Sequence, residues 1–209
     1  MNKYKNIWIT GGAGFIGSNL ALKFIDKGYK ITVLDNLSPQ IHSDNSPLYN
    51  SIKNKVNFIK GTVLSYDDWK KALENIDVVV HFAAETGTGQ SMYEIEKYTD
   101  VNIKGTSIFL DILANEKHSI KKMVVASSRA IYGEGKYECG TCGIVYPNER
   151  KDTNMAIGDF KVKCPTCGEN VKLKATDEES KIHSSSIYGI TKQVQEQMFM
   201  VMGKSLDIP

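Results

Sequence analysis

The sequence predicts a doubly wound α/β fold, on three observations. Short apolar, β-branched runs alternate with amphipathic helical stretches from the N-terminus onward. The run DVVVHFAA (77–84) is continuously apolar, as expected of a parallel strand buried on both faces. A glycine-rich turn, TGGAGFIG (10–17), falls between the first strand and the first helix, the place where such sheets receive ligands.

Each element follows from local pattern. NIWIT (6–10) is the first strand, ended by glycines. FIGSNLALKFIDKG (15–28) is a helix, with Ile16, Leu20 and Phe24 on one face and Gly28 as the stop. KITVLD (30–35) is the second strand. Residues 36–54 are polar with two prolines and read as a loop. VNFIKG (56–61) is the third strand, and SYDDWKKALEN (65–75) a helix with Ser65 as N-cap and acidic residues in its first turn. After the strand at 77–84, a long helix is expected over much of 91–115, then the strand KKMVVAS (121–127) and a Gln- and Met-rich helix over 186–204.

Residues 133–181 break the rhythm. They are rich in Gly, Cys and Lys, show little periodicity, and read as an insertion between residues 1–132 and 182–209 of the main domain. Lys and Arg number eight against eight Asp and Glu over 136–181, so the insertion carries no net charge to hold nucleic acid. The whole chain, 26 basic against 24 acidic residues, has a net charge of +2 and gives no such footprint either. No apolar run is long enough to span a bilayer, and the first strand begins too early to leave room for a signal peptide. A cytoplasmic setting with reduced cysteines is the expectation.

The glycine turn carries specific chemistry. Gly11, Gly14 and Gly17 allow a tight turn, close backbone approach to a pyrophosphate, and close helix–strand packing. The helix beginning at Phe15 then offers its N-terminus to phosphate. Asp35 ends the second strand 18 residues after Gly17, where a carboxylate meets the adenosine ribose. No Lys or Arg follows in DNLSPQ (35–40) to hold a 2′-phosphate, so NAD is expected rather than NADP. A purely structural turn with a solvated Asp is the competing reading.

Tyr188 and Lys192 stand four apart in a predicted helix and share a face. A phenol near pKa 10 is shifted down by a neighbouring ammonium and can then exchange a proton with a substrate hydroxyl. Ser128 lies at the C-terminal end of a predicted strand and could hold the same oxygen; strand-end capping is the alternative.

TGGAGFIG, HFAA, VNIKGT, SSRAIYG and YGITK occur in that order. Together they resemble the extended short-chain dehydrogenase/reductase family, a Rossmann-like family, and within it the NAD-dependent nucleotide-sugar epimerases and dehydratases. The resemblance implies Ser128, Tyr188 and Lys192 as the catalytic trio. It implies NAD held by Gly11, Gly14, Phe15, Ile16, Gly17, Asp35 and Asn36. Further contacts are implied from Thr62, Val63, Ala83, Ala84, Thr86, Asn102, Ala126, Tyr188 and Lys192, with Asn102 bracing the nearby strand end. Dehydratases of this family carry an acidic residue within two positions of the catalytic Ser or Thr; here those positions are Arg129 and Ala130. Epimerisation needs no such acid. HFAAETGTGQS, SSRAIYGEG and the cysteine-bearing insertion are most similar to the dTDP-L-rhamnose 4-epimerase group, which interconverts dTDP-L-rhamnose and dTDP-6-deoxy-L-talose. That implies a nucleotide-sugar substrate and room for a homodimer; that no nucleic acid and no membrane is a partner is expected from the charge balance and the lack of a long apolar run.

Two departures from the family pattern stand out. Gly61-Thr62 replaces the usual Gly-Asp near the adenine, so a backbone or weaker contact is expected there. The chain stops at SLDIP, where the resemblance places the next strand, so a C-terminal substrate domain is expected to be absent and sugar turnover by this chain alone to be poor. A non-enzymatic NAD-binding module that recruits a partner through its insertion is the competing hypothesis.

Cys139-x2-Cys142 and Cys164-x2-Cys167 are separated by 21 residues, each pair followed by glycine. That spacing suits a tetrahedral, structural Zn²⁺ in a ribbon-like insertion. Disulfides and a redox-active pair are the rivals. Of the histidines, His81 reads as a strand-end residue, and His42, His118 and His183 as exposed.

Overall fold

The computed structural model describes residues 4–43 and 45–209. They fall into two compact units. The first takes in the chain up to Glu85 together with Glu96–Ala126 and Val194–Pro209; the second takes in Thr86–Ile95 and Ser127–Gln193.

The first unit is a parallel sheet of five strands: β1 (Asn6–Thr10), β2 (Lys30–Asp35), β3 (Asn57–Lys60), β4 (Val78–His81) and β5 (Lys122–Val125). Their order is β3-β2-β1-β4-β5. Strand order therefore reverses between β1 and β4, the switch point outside whose carboxyl ends ligands sit in doubly wound sheets. Thr10 pairs with Leu34 on one side and His81 on the other, so the ends of all three strands are level. Alternation along β1 explains the two cores. Ile7 and Ile9 join Val33 and Val80 in one cluster, while Trp8 joins Trp69, Phe109 and Phe199 in the other. Trp69 stacks on Phe109 with ring centres 4.6 Å apart, and its indole N–H donates to the Val63 carbonyl at 2.7 Å, so the buried polar atom is satisfied.

The helices differ from the sequence expectation in two places. Helix α1 (Phe15–Asp26) is as expected, but the stretch 36–54 contains a short helix, α2 (Pro47–Ile52). Pro47 stands at its start and Ser46 caps it, accepting from the Tyr49 N–H at 3.4 Å; a proline there initiates a helix rather than excluding one. Helix α3 (Tyr66–Leu73) has Ser65 as its N-cap, with Oγ accepting from the Asp68 N–H at 3.2 Å. The expected long helix over 91–115 is broken into a 3₁₀ turn (Gln90–Met92), α4 (Ile95–Thr99), a π-helical turn (Asp100–Lys104) and α5 (Gly105–Asn115). The Ser91 hydroxyl donates to the Thr88 carbonyl at 2.6 Å, and such local bonding competes with helix propagation.

The second unit carries three short antiparallel strands, β6 (Tyr137–Cys139), β7 (Gly143–Val145) and β8 (Lys172–Leu173), in the order β7-β6-β8. Strands of two or three residues are too short for hydrophobic period to register, which is why 133–181 looked featureless. Around this sheet Tyr137, Cys139, Val145 and Cys164 form a buried cluster, with Cys142, Val162 and Val171 packed against it. Helix α6 (Asp152–Ala156) buries no residue. Helix α7 (Ile187–Ser205, 19 residues) begins in this unit.

Candidate active site and cysteine centre

In the first unit, the glycine turn, Asp35 and the end of β4 converge. Gly11 has φ +66°, and a Cβ there would lie 2.7 Å from the Ala83 nitrogen, so only glycine lets the turn lie against Ala83. Helix α1 has Gly14 as its N-cap and so no side-chain cap, leaving its first N–H groups available to an anion. Phe15 and Ile16 are 74% and 63% exposed at that helix start. Gly17 is buried in the first turn. Asp35 accepts the Ala13 N–H on Oδ2 at 3.0 Å and the Leu37 N–H on Oδ1 at 2.9 Å, which ties the carboxylate to the glycine turn. Asn36 is exposed, its Oδ1 accepting the Ser38 N–H at 3.0 Å.

A buried polar network lies behind these residues. Asn102, fully buried, donates to the Glu85 carbonyl at 3.1 Å and accepts the Glu85 N–H at 2.8 Å, gripping the segment just after Ala83 and Ala84. The π-helical turn displaces the backbone where Asn102 projects. Thr106 donates to the Asn102 carbonyl at 2.7 Å, and the Gln195 amide donates to the same carbonyl at 3.2 Å and to Thr106 Oγ1 at 2.8 Å. His81, last in β4 and fully buried, places Nδ1 2.7 Å from Thr10 Oγ1. Thr10 Oγ1 also accepts the Ala83 N–H at 3.2 Å. Ala126, just beyond β5, donates its N–H to the His81 carbonyl at 3.3 Å.

Two of the residues expected to contact the cofactor also have partners within the fold. Thr62 donates its N–H to Asp68 at 3.0 Å and accepts the Leu64 N–H on Oγ1 at 3.2 Å. Val63 is buried in the core beside Trp69.

In the second unit, two stretches far apart in sequence are pressed together. Gly189 sits where a Cβ would lie 2.7 Å from the Ala130 carbonyl oxygen, so the start of α7 can close on the turn Arg129–Tyr132 only with glycine there. The His183 N–H donates to the Ile131 carbonyl at 2.8 Å, closing the same junction. Ser128 caps that turn, accepting the Ala130 N–H at 3.1 Å. This bond uses an oxygen lone pair and not the hydroxyl hydrogen, so capping and donation to a substrate oxygen are compatible. Tyr188 and Lys192 lie one turn apart in α7; the Tyr188 N–H donates to Ser91 Oγ at 3.0 Å, which anchors the helix start. Tyr188 is half-buried and Lys192 only 2% exposed; burial pushes the Lys192 ammonium down to about 8. Thr86, in the same unit, is exposed. Arg129 donates to the Gly133 carbonyl at 3.1 Å, and no carboxylate stands at 129 or 130.

The four thiols converge. The Sγ atoms of Cys139, Cys142, Cys164 and Cys167 lie within 4.8 Å of one another, and none forms a disulfide. A tetrahedral zinc with Zn–S bonds near 2.3 Å requires S···S edges of roughly 3.8 Å, so this donor set fits one ion. Gly143 and Gly168, at φ +73° and +78°, close the two turns. The Cys164 thiol is drawn down to about 6, chiefly by the Cys167 backbone N–H and further by that of Thr166, against the opposing effect of burial. Hydrogen bonding to the neighbouring Cys167 thiol pushes Cys142 up to about 12.

His42 is a correction: expected on the surface, it is 8% exposed and its Nε2 lies 3.6 Å from Asp35 Oδ1. The Ile41 and His42 N–H groups both donate to the Ser38 carbonyl, at 2.9 and 2.8 Å, and the turn folds the ring inward. His118 and His183 are half-buried rather than exposed. Ser91 and Gln195 were also not singled out by sequence; nothing local distinguishes a buried Ser or Gln. The Ser46-Pro47 pair was the usable signal for His42, since a helix starting there brings the preceding turn back toward the sheet.

The profile described as the NAD dependent epimerase/dehydratase family matches residues 7–150. The dTDP-L-rhamnose 4-epimerase of Burkholderia thailandensis is 30% identical over 207 residues, covering 98% of this chain and 55% of that protein. The UDP-glucose 4-epimerase of Bacillus subtilis is 35% identical over 133 residues, covering 61% of this chain and 38% of that protein. Among solved structures, the UDP-glucuronic acid 4-epimerase of Bacillus cereus in complex with UDP-glucuronic acid and NAD superposes with TM-score 0.70 at 24% identity, over 98% of this chain and 54% of that one, which speaks for the fold. The UDP-N-acetylglucosamine 4-epimerase of Methanobrevibacter ruminantium M1 in complex with UDP-N-acetylmuramic acid gives 0.64 at 26% identity, over 99% and 53%. The chain thus spans about half the length, or less, of the curated relatives it matches. Among the described residues, no helix is long and apolar enough to cross a membrane.

Proposed function

Because the chain belongs to the NAD dependent epimerase/dehydratase family, we propose that it serves NAD-dependent 4-epimerisation of a nucleotide sugar, with dTDP-L-rhamnose and dTDP-6-deoxy-L-talose as the interconverted pair. The observation that carries the reading is the junction at Gly189 and Ala130. It seats the turn of Ser128 against the helix of Tyr188 and Lys192 across an insertion that separates them in sequence. The exposed apolar pair Phe15 and Ile16, the uncapped start of α1 and the doubly anchored Asp35 support a dinucleotide on the first unit.

Bound NAD would supply a hydride acceptor, then donor, for C4 of the sugar, and end unchanged. Tyr188 takes the proton of the 4-hydroxyl and returns it when the keto sugar has presented its other face. Lys192, as ammonium, stabilises the phenolate; its lowered value means that this charge is lost as pH rises through about 8. Ser128 donates its hydroxyl hydrogen to the same sugar oxygen. Arg129 and Ala130 offer no second acid or base, which favours epimerisation over elimination. Cys139, Cys142, Cys164 and Cys167 would hold a structural zinc whose four thiolates leave no position open for chemistry.

The test is conversion of dTDP-L-rhamnose followed by NMR, with Tyr188→Phe as comparison. Loss of about a thousandfold in kcat is expected for the variant. Wild-type turnover by Tyr188→Phe would overturn the mechanism, and turnover of UDP-sugars alone would overturn the choice of substrate.

A further inference from the structure

Two backbone N–H groups hold Asp35, one to each carboxylate oxygen. Each oxygen keeps a further acceptor position, one for each of two vicinal ribose hydroxyls. A third group stands on the Oδ1 side: the His42 Nε2, at 3.6 Å. That is longer than a hydrogen bond and acts as a directed electrostatic contact.

The other side of the ring determines what faces the carboxylate. His42 Nδ1 lies 3.1 Å from Ser46 Oγ, and Ser46 Oγ already accepts the Tyr49 N–H as the cap of α2. In the neutral ring, the Ser46 hydroxyl donates to a bare Nδ1, which leaves the proton on Nε2. The opposite tautomer would turn a nitrogen lone pair toward a carboxylate. In the charged ring both nitrogens carry hydrogen. In either state Nε2 presents hydrogen to Asp35. The order Asp35, His42, Ser46 is that of a hydrolase triad, yet Ser46 is only 7% exposed and occupied as a cap, so it is no nucleophile.

We propose that His42 is a positioning residue for Asp35: it holds the carboxylate oriented for the two adenosine ribose hydroxyls and so strengthens binding of a dinucleotide whose 2′-hydroxyl is free. This rests on the NAD reading above. The chain Tyr49 N–H, Ser46, His42, Asp35 couples the start of α2 to the end of β2. Loss of His42 leaves the carboxylate its two backbone donors and frees its remaining side to turn toward the space the ring filled.

Calorimetric titration of the 209-residue chain with NAD⁺ and with the 2′,3′-dideoxyadenosine analogue of NAD⁺, which offers Asp35 neither hydroxyl, tests this. His42→Leu, which keeps bulk and removes both ring nitrogens, is expected to weaken NAD⁺ about tenfold and the analogue by less than about twofold. His42→Gln, whose amide nitrogen reaches the Nε2 position, is expected to restore NAD⁺ binding to within about threefold. Equal losses for both ligands, or no rescue by Gln, would overturn the positioning role. The wild-type chain gives a check that needs no variant: ¹⁵N NMR of the His42 ring is expected to show Nε2 protonated, and a bare Nε2 sinks the proposal. Failure of the wild-type chain to bind NAD⁺ would remove the cofactor reading itself, and this inference with it.

Discussion

The five-stranded and three-stranded sheets satisfy their backbones alike but are stabilised by different means. The first is flanked by two apolar clusters that include Trp8, Trp69, Phe109 and Phe199 on one side and Ile7, Ile9, Val33 and Val80 on the other. The second has four buried core residues, and two of them are Cys139 and Cys164. A unit with so little apolar surface to bury needs a staple, and the thiols are positioned to bind one. The difference teaches where each unit is vulnerable: the first to loss of packing, the second, on the zinc reading proposed above, to loss of what ties its four thiols together.

The largest effect expected from that difference is chemical. Purified protein should carry one zinc, and stripping it should abolish amide-exchange protection at Glu138 and Cys139 while Ile9 and Val79 stay protected, since structural zinc binding contributes on the order of 10 kcal/mol to folding. Protection of β6 that survives chelation, or that survives a Cys139→Ser, Cys164→Ser double substitution, would erase the contrast.

A smaller effect separates the units by pH. Lys192 is nearly fully buried with its value lowered to about 8, so the folded state binds fewer protons than the unfolded state between about pH 8 and 10.5. Below pH 8 the buried ammonium costs stability, and that cost disappears as pH rises through the window. Lys192→Met should therefore raise stability by about 2 kcal/mol at pH 7, and the gain should vanish by about pH 10.5. A destabilised variant at pH 7 would mean that Lys192 supports the fold rather than serving chemistry at the fold's expense.

The smallest effect lies in the first unit and has the opposite sign. Asp77 is held at about 2 by hydrogen bonding to the Lys121 ammonium, then by the Lys5 and Asn6 N–H groups. Its contribution is present above the ordinary carboxylate value and is lost as pH falls through about 2. Asp77→Asn should cost about 1 kcal/mol at neutral pH after solvent screening, and the two proteins should draw together as pH falls through about 2 in denaturant titrations. A constant difference across that range would show a steric rather than an electrostatic role.

The strands and most helices were legible in the sequence because their signals are local. Gly28 follows the end of α1, Ser65 caps α3, and the apolar run at 77–84 contains β4. Where reading failed, a local signal had two meanings or a side chain overrode it. Pro47 served as a helix start, and the Ser91 hydroxyl bonds the Thr88 carbonyl in a 3₁₀ turn where the sequence pattern favours a continuous helix. The candidate site was legible as residue types but not as neighbours. His42 reads as a surface residue in the sequence because nothing in its immediate neighbourhood states that the turn from Ser38 folds inward.

By itself the sequence determined the alternation of strand and helix, the glycine turn before α1, and the four thiols at metal-ligand spacing, since each rests on residues within one or two turns of one another. Only the tertiary structure decided that Gly189 meets the Ala130 carbonyl, that Asn102 grips Glu85, and that His42 stands behind Asp35. Those contacts depend on how distant segments pack, and packing is settled by the burial of the whole core rather than by any short stretch of chain.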